Sequence, residues 1–164
     1  MRRRTILGAL ALAPVLGARA AAADKDSDMN PAQTGWKALT DAEWRRRLTP
    51  AQYHVLRREG TEAAGSSPLN AEKRPGTYVC AGCGLALFAS EMKYESGTGW
   101  PSFFTHLPDA FQTKRDFRLI WPRTEYHCAR CGGHQGHVFD DGPQPTGQRW
   151  CNNGVALAFL PKRA

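Results

Sequence analysis

No acidic residue precedes Asp24, no internal repeat of 20 residues or more is present, and no cysteine is available to pair with the fifth. Long hydrophobic runs are also missing. The most apolar stretch, near Ile6–Leu16, is too short to span a bilayer, so stable membrane insertion is not expected. Low-complexity tracts are absent beyond the alanines of the first segment. With 41% hydrophobic and 23% charged residues the 164-residue chain is not a disordered one, and its length suits a single domain with a real core. Its 16 glycines and 11 prolines exclude a long helical bundle and favour short strands and turns. What remains to explain is a formal charge of +7 and an odd count of 5 cysteines.

The charge is concentrated at the start. Met1-Arg2-Arg3-Arg4 leads into the apolar stretch, then small residues at Ala18-Arg19-Ala20 and Ala21–Ala23. These are the three parts of a secretory signal peptide, and Arg3–Leu7 resembles a twin-arginine start with incomplete flanking residues. Residues 1–23 are therefore expected to be a signal, 24–35 a polar tether, and 36–164 the working domain. Without residues 1–23 the chain holds 18 basic against 15 acidic residues, a formal +3. Basic and aromatic residues form no stripe, so nucleic acid is not an expected partner.

Two helix starts are legible. Thr40-Asp41-Ala42-Glu43 is a capping box, predicting a helix to Leu48. Thr49-Pro50-Ala51-Gln52 repeats the signal with Pro at the first helical position, predicting a second helix to about Glu59 that stops at Gly60. Arg45-Arg46-Arg47 reads as a solvated helix face. Beyond Gly76, short apolar runs predict strands at Thr77–Cys80, Leu85–Phe88, Ala110–Thr113, Phe117–Trp121, Glu125–Cys128, His137–Phe139, Arg149–Cys151 and Val155–Leu160. The expected fold is mainly β, built of antiparallel sheets with short N-terminal helices.

Cys80-x-x-Cys83-Gly84 and Cys128-x-x-Cys131-Gly132 are two matching turns. Two-residue spacing lets both sulfurs of a turn face one centre, and the following Gly permits the tight bend. Together they offer four thiolates, a set that suits Zn2+. Two disulfides or a redox pair are the competing reading, but the repeated Gly favours zinc. A closed four-thiolate site leaves no open position, so the metal's expected role is structural. The 44 residues between the turns mean that it would tie distant strands together.

Cys151 is left over. Arg149, two residues away on a strand, shares its face and could lower the thiol pKa, and Asn153 lies on that face as a hydrogen-bond donor. His134 and His137 add two imidazoles upstream. From this local chemistry alone, a nucleophile and an inert buried thiol both remain open.

The blocks Ser96-Gly97-Thr98-Gly99-Trp100-Pro101-Ser102-Phe103, Cys128-x-x-Cys131, His134-x-Gly136-His137-Val138-Phe139-Asp140-Asp141-Gly142-Pro143, Pro145-Thr146-Gly147 and Arg149-Trp150-Cys151-x-Asn153 resemble the B-type methionine sulfoxide reductases. The resemblance covers roughly Trp36–Phe159, with Gly60-Thr61-Glu62 after the helices. It implies two antiparallel sheets in a tent-like arrangement, a structural zinc on Cys80, Cys83, Cys128 and Cys131, and reduction of methionine-R-sulfoxide in proteins and peptides. Carried over, it implies Cys151 as nucleophile, His134 and His137 as the histidines that activate the sulfoxide, and Asn153 as the active-site Asn. Arg149 would steady the thiolate, Trp100 would pack on the substrate methyl, and Phe139 would line the pocket.

Three departures matter. Thr98 stands where many members carry a resolving cysteine, so an external thiol, a thioredoxin-like protein or a small molecule, is the expected reductant. Gln135 replaces the usual apolar residue between the histidines, and Trp150 stands where Tyr or Phe is common. A monomer in the bacterial periplasm is the expected state.

Overall fold

Two capping boxes start the described chain. The computed structural model describes residues 35–117 and 122–163. The expected signal peptide and nearly all of the tether lie outside the described residues. In the first box Thr40 and Glu43 cap each other and α1 runs Asp41–Arg47; in the second Thr49 and Gln52 do the same and α2 runs Pro50–Arg58. Reciprocal caps satisfy amide groups that a short helix otherwise leaves open. The predicted stop at Gly60 holds, but the left-handed residue is Glu59, with φ 54°. Lys114 draws the Glu59 carboxylate to 2.6 Å, across the surface from the turn. Arg45, Arg46 and Arg47 are all exposed, as a solvated face requires.

Trp44 of α1 and Tyr53, Val55 and Leu56 of α2 are buried. The two helices pack together, and α2 packs on the second sheet and on the turn Gly154–Ala156.

The strands are β1 Gly76–Cys80, β2 Ala86–Ala89, β3 Lys93–Tyr94, β4 Ser102–Phe103, β5 Phe111–Asp116, β6 Arg123–Cys128, β7 His134–Phe139, β8 Arg149–Asn152 and β9 Leu157–Pro161. They form two antiparallel sheets, ordered β2-β1-β9 and β3-β4-β8-β7-β6-β5. The expected mainly β class with two antiparallel sheets is the observed one. The expected strand Phe117–Trp121 mostly lies outside the described residues, and Phe117 itself is 73% exposed and outside any strand. β7 begins three residues earlier than expected, at His134. β3 and β4 were not anticipated, because strands of two residues carry no readable alternation.

Aromatic rings join the two sheets. Phe88 of β2 stacks on Phe103 of β4 with centroids 3.8 Å apart, and Tyr78 of β1 meets the edge of Phe103 at 5.0 Å. Phe111, Tyr126 and Trp150 continue the cluster across β5, β6 and β8. Each ring of this size taken from water stabilises the fold by roughly 1.5–3 kcal/mol. Trp150 is thus a core residue, and its indole N–H donates to Gln148.

Candidate active site and cysteine cluster

The four paired cysteines converge as their spacing predicted. Cys80 ends β1 in one sheet and Cys128 ends β6 in the other. In each turn the amide of the following glycine donates to the first cysteine's carbonyl at 2.8 Å, Gly84 to Cys80 and Gly132 to Cys128. Both glycines take φ near +70°, which explains why glycine occupies that place twice. Cys80 and Cys131 sulfurs are 3.7 Å apart, and Cys83 and Cys128 sulfurs 3.5 Å. A disulfide needs about 2.05 Å, whereas four sulfurs at 2.3 Å from a tetrahedral zinc stand about 3.8 Å apart. All four are buried, and no disulfide joins them. Hydrogen bonding to Cys128 pushes the Cys80 and Cys131 thiols up, while a bond from Cys131 holds Cys128 down. Ionising all four therefore calls for a cation, and this donor set fits Zn2+.

Gln135, fully buried, reaches this cluster. Its Nε2 donates to Cys80 Sγ at 3.4 Å, and its Oε1 accepts from Asn152 Nδ2 at 3.3 Å. Tyr126 Oη donates to Asn152 Oδ1 at 2.8 Å, closing a satisfied polar chain between the cysteine cluster and β8. An apolar residue in place of Gln135 could not complete it.

Cys151 is on β8, directly opposite His137 of β7 and Ser102 of β4. Residues opposite each other on paired strands share a face, so thiol and imidazole are adjacent. Both line a cavity of ≈ 120 Å³ with Trp100, Phe139, Arg123 and Asn153. Trp100 is fixed by its indole N–H, which donates to Glu62 O at 3.2 Å. Asn153 Oδ1 accepts from Glu62 N–H at 3.0 Å and its Nδ2 donates to Gln135 O at 3.0 Å. Glu62 also receives the amides of Gly154 and Val155, at 2.5 and 2.9 Å. One short segment, Gly60-Thr61-Glu62, thereby holds both the indole and the turn after the thiol.

Arg149 lies two residues before Cys151 on β8. Its guanidinium donates to both oxygens of Asp141, at 2.7 and 2.8 Å, and lies 4.3 Å over the Phe139 ring. It does not bring the Cys151 thiol below the ordinary range. Burial pushes that thiol up, and the Arg149 charge and hydrogen bond, with a bond from Thr98, offset only part of the rise. Thr98 therefore touches the thiol from the place where the resemblance led us to expect a resolving cysteine.

The two histidines are placed differently. His137 faces the cavity and its Nε2 lies 2.9 Å from Asp116 Oδ2. Burial holds it below 6.5, against the Asp116 hydrogen bond. His134 does not line the cavity. Its side chain is 1% exposed and its ring packs 5.5 Å behind His137 and 5.5 Å from His127. His134 Nδ1 comes within 2.5 Å of Glu125 Oε1, and His127 Nε2 within 3.1 Å of the same oxygen. Neither approach meets hydrogen-bond geometry, so these are close contacts of ring nitrogens with the carboxylate. Burial, outweighing Glu125, brings His134 down to about 4. Lys114, 3.4 Å from the other oxygen of Glu125, takes up part of that carboxylate's field.

Asp116, Arg123, Glu125 and Asp141 escaped the sequence reading as site residues. A faint signal existed: Lys114 faces Glu125 and Asp116 faces Arg123 across β5 and β6. That register is invisible until the strands are paired.

The SelR domain model matches residues 48–161. Over 121 residues the chain is 50% identical to the peptide methionine sulfoxide reductase MsrB of Leptospira interrogans, covering 73% of this chain and 92% of that one. It is 51% identical over 121 residues to the MsrB of Methanosarcina barkeri, covering 73% and 85% of the two chains. It is 48% identical over 124 residues to the mouse mitochondrial methionine-R-sulfoxide reductase B3, covering 75% and 49%. A matched family model over most of the chain and relatives at half identity make the chain a member of the B-type methionine sulfoxide reductases, the peptide-methionine (R)-S-oxide reductases.

Proposed function

We propose that this protein reduces methionine-R-sulfoxide in oxidised proteins and peptides through a sulfenic acid on Cys151. The observation that carries the reading is the opposition of Cys151 and His137 across paired strands, in a cavity walled by Trp100. A sulfoxide sulfur becomes electrophilic when its oxygen is protonated. His137 supplies that proton, and the Cys151 thiolate attacks. The sulfoxide oxygen passes to Cys151, two electrons pass to the substrate sulfur, and methionine leaves. Trp100 offers an apolar wall for the substrate methyl, which selects one epimer. His134, behind His137, acts by packing and charge and not by touching substrate. Asn153 holds the turn that follows the nucleophile.

Recharging requires two equivalents of an external thiol. The first attacks the sulfenic acid and releases water, and the second releases Cys151 and leaves the donor as a disulfide. Thr98 cannot do this, and the four clustered cysteines are assigned to metal. Zinc bound by Cys80, Cys83, Cys128 and Cys131 would cross-link the two sheets, and with four protein ligands it offers no position to substrate.

Residues 1–23 are proposed to direct export, by the twin-arginine route, to the periplasm. Folding and zinc loading before translocation would protect the thiols from oxidation. Protein recovered from that compartment with two disulfides and no zinc would contradict this. The activity itself is tested by dithiothreitol-driven turnover of R and S methionine sulfoxide peptides with the wild type and Cys151→Ser. Turnover of the R peptide by the wild type alone is expected; equal rates in the two proteins would refute the reading.

A further inference from the structure

Asp116 is the last residue of β5 and is 6% exposed, although the four residues before it are all exposed. A carboxylate is not buried at a sheet edge without a partner. Its Oδ2 accepts both from Arg123 Nη2 at 2.7 Å and from His137 Nε2 at 2.9 Å. Arg123 is its direct partner across β5 and β6, so the ion pair is set by strand register. We propose that Asp116 is a positioning residue for His137, dictating which ring nitrogen carries the resting proton and serving as counter-ion to the imidazolium. The inference rests on the sulfoxide-reductase reading only for its catalytic consequence.

Hydrogen-bond valence fixes the tautomer. An ionised carboxylate only accepts, so Nε2 must be the protonated nitrogen. The other nitrogen, Nδ1, is then the one that gains and gives up a proton. Cys151 is opposite His137 across the paired strands, and in this proposal that proton is divided between them: thiol with neutral imidazole, or thiolate with imidazolium. Both forms hold the same number of protons, so their ratio depends on the two groups' relative acidities and not on pH between them. Burial disfavours the charged pair at both ends, raising Cys151 and lowering His137. Arg149 opposes this at the thiol, and Asp116 opposes it at the imidazole. The other charged or titrating groups facing His137 are Arg123, which works against protonation, Glu125, which favours it, and the His134 ring 5.5 Å away. Asp116 alone among these accepts a hydrogen bond from it.

Asp116→Asn keeps the size but loses the charge, and its amide can present either a carbonyl or an NH2 to Nε2. Both hydrogen positions on the ring then become available, and the imidazolium loses its counter-ion. The test uses nitrogen-15 NMR of the zinc-loaded full chain. In the wild type His137 should be the Nε2–H form when neutral, with a slowly exchanging Nε2 proton. In Asp116→Asn the Nδ1–H form should appear and the titration of His137 should move to lower pH. The kcat for dithiothreitol-driven turnover should fall at least tenfold with KM changed less than twofold, and Asp116→Glu should restore part of it. A merely structural role would shift the denaturation midpoint and leave tautomer and titration alone, and that result overturns the proposal. So does a wild-type His137 in the Nδ1–H form, a measurement that needs no variant. If the NMR changes appear but the wild type does not reduce sulfoxides, the functional reading fails while the hold of Asp116 on His137 stands.

Discussion

His134 gives the sharpest thermodynamic prediction. Its imidazole is 1% exposed and is held down to about 4, so the folded protein keeps it neutral where an unfolded chain would protonate it. A depressed folded-state value means that stability is fully present above the unfolded value near 6.5 and drains away as pH falls toward 4. Between pH 7 and pH 4.5 this group alone should remove roughly 2–3 kcal/mol of unfolding free energy. That is a large part of the typical 5–15 kcal/mol of a domain. Other groups titrate in the same window, so the wild type alone cannot isolate the effect. His134→Gln removes the titration and keeps a polar side chain of similar size. Urea unfolding of both proteins at the two pH values cancels the shared contributions. The variant should lose less stability on acidification by roughly 2–3 kcal/mol. Equal losses would mean that Glu125 keeps His134 protonated in the fold, refuting the claim that burial outweighs the carboxylate.

Other outcomes follow from the same geometry. Arg149→Leu removes a charge-assisted hydrogen bond of roughly 1.5–3 kcal/mol, so the pH dependence of Cys151 alkylation should move up by about one to two pH units. An unchanged profile would mean that Arg149 serves only Asp141 and Phe139. A Cβ at Gly136 would stand 1.9 Å from the Cys151 carbonyl oxygen, so Gly136→Ala should cost about 3 kcal/mol of stability and displace β8, lowering turnover as well. Stripping metal with a strong chelator should lower the melting temperature sharply and release close to one zinc per chain, and Cys83→Ser should already be depleted of it. A melting temperature unmoved by chelation would contradict the cross-linking role.

Local signals were legible because they act over a few residues. Thr40 with Glu43, and Thr49 with Pro50 and Gln52, fixed both helix starts, and the repeated Cys-x-x-Cys-Gly fixed the turns of the cysteine cluster. Arg149, Cys151 and Asn153 were readable because strand alternation is a two-residue rule. The carboxylates were not. Asp116 looks like one more polar residue of an exposed strand, and only the pairing of β5 with β6, and of β6 with β7, brings it to His137. His134 and His137 read as an equivalent pair in sequence. Three positions apart they would alternate on a regular strand, but the register shift opposite Tyr126 and His127 brings both rings to one side, 5.5 Å apart, with His137 lining the cavity and His134 buried behind it. A thiol acidified by Arg149 was likewise a one-strand inference. The burial that outweighs Arg149 comes from neighbouring strands and from the segment holding Trp100.

The central claim is that one cysteine carries the chemistry and leaves without an internal resolving partner. A single turnover of the zinc-loaded protein with excess R-methionine sulfoxide peptide, no added thiol and a sulfenic-acid trap tests it most directly. The account predicts close to one methionine per chain and one trapped adduct, on Cys151, with the other four cysteines unmodified. One methionine per chain with no trapped adduct and a disulfide between Cys151 and any of Cys80, Cys83, Cys128 or Cys131 would contradict it.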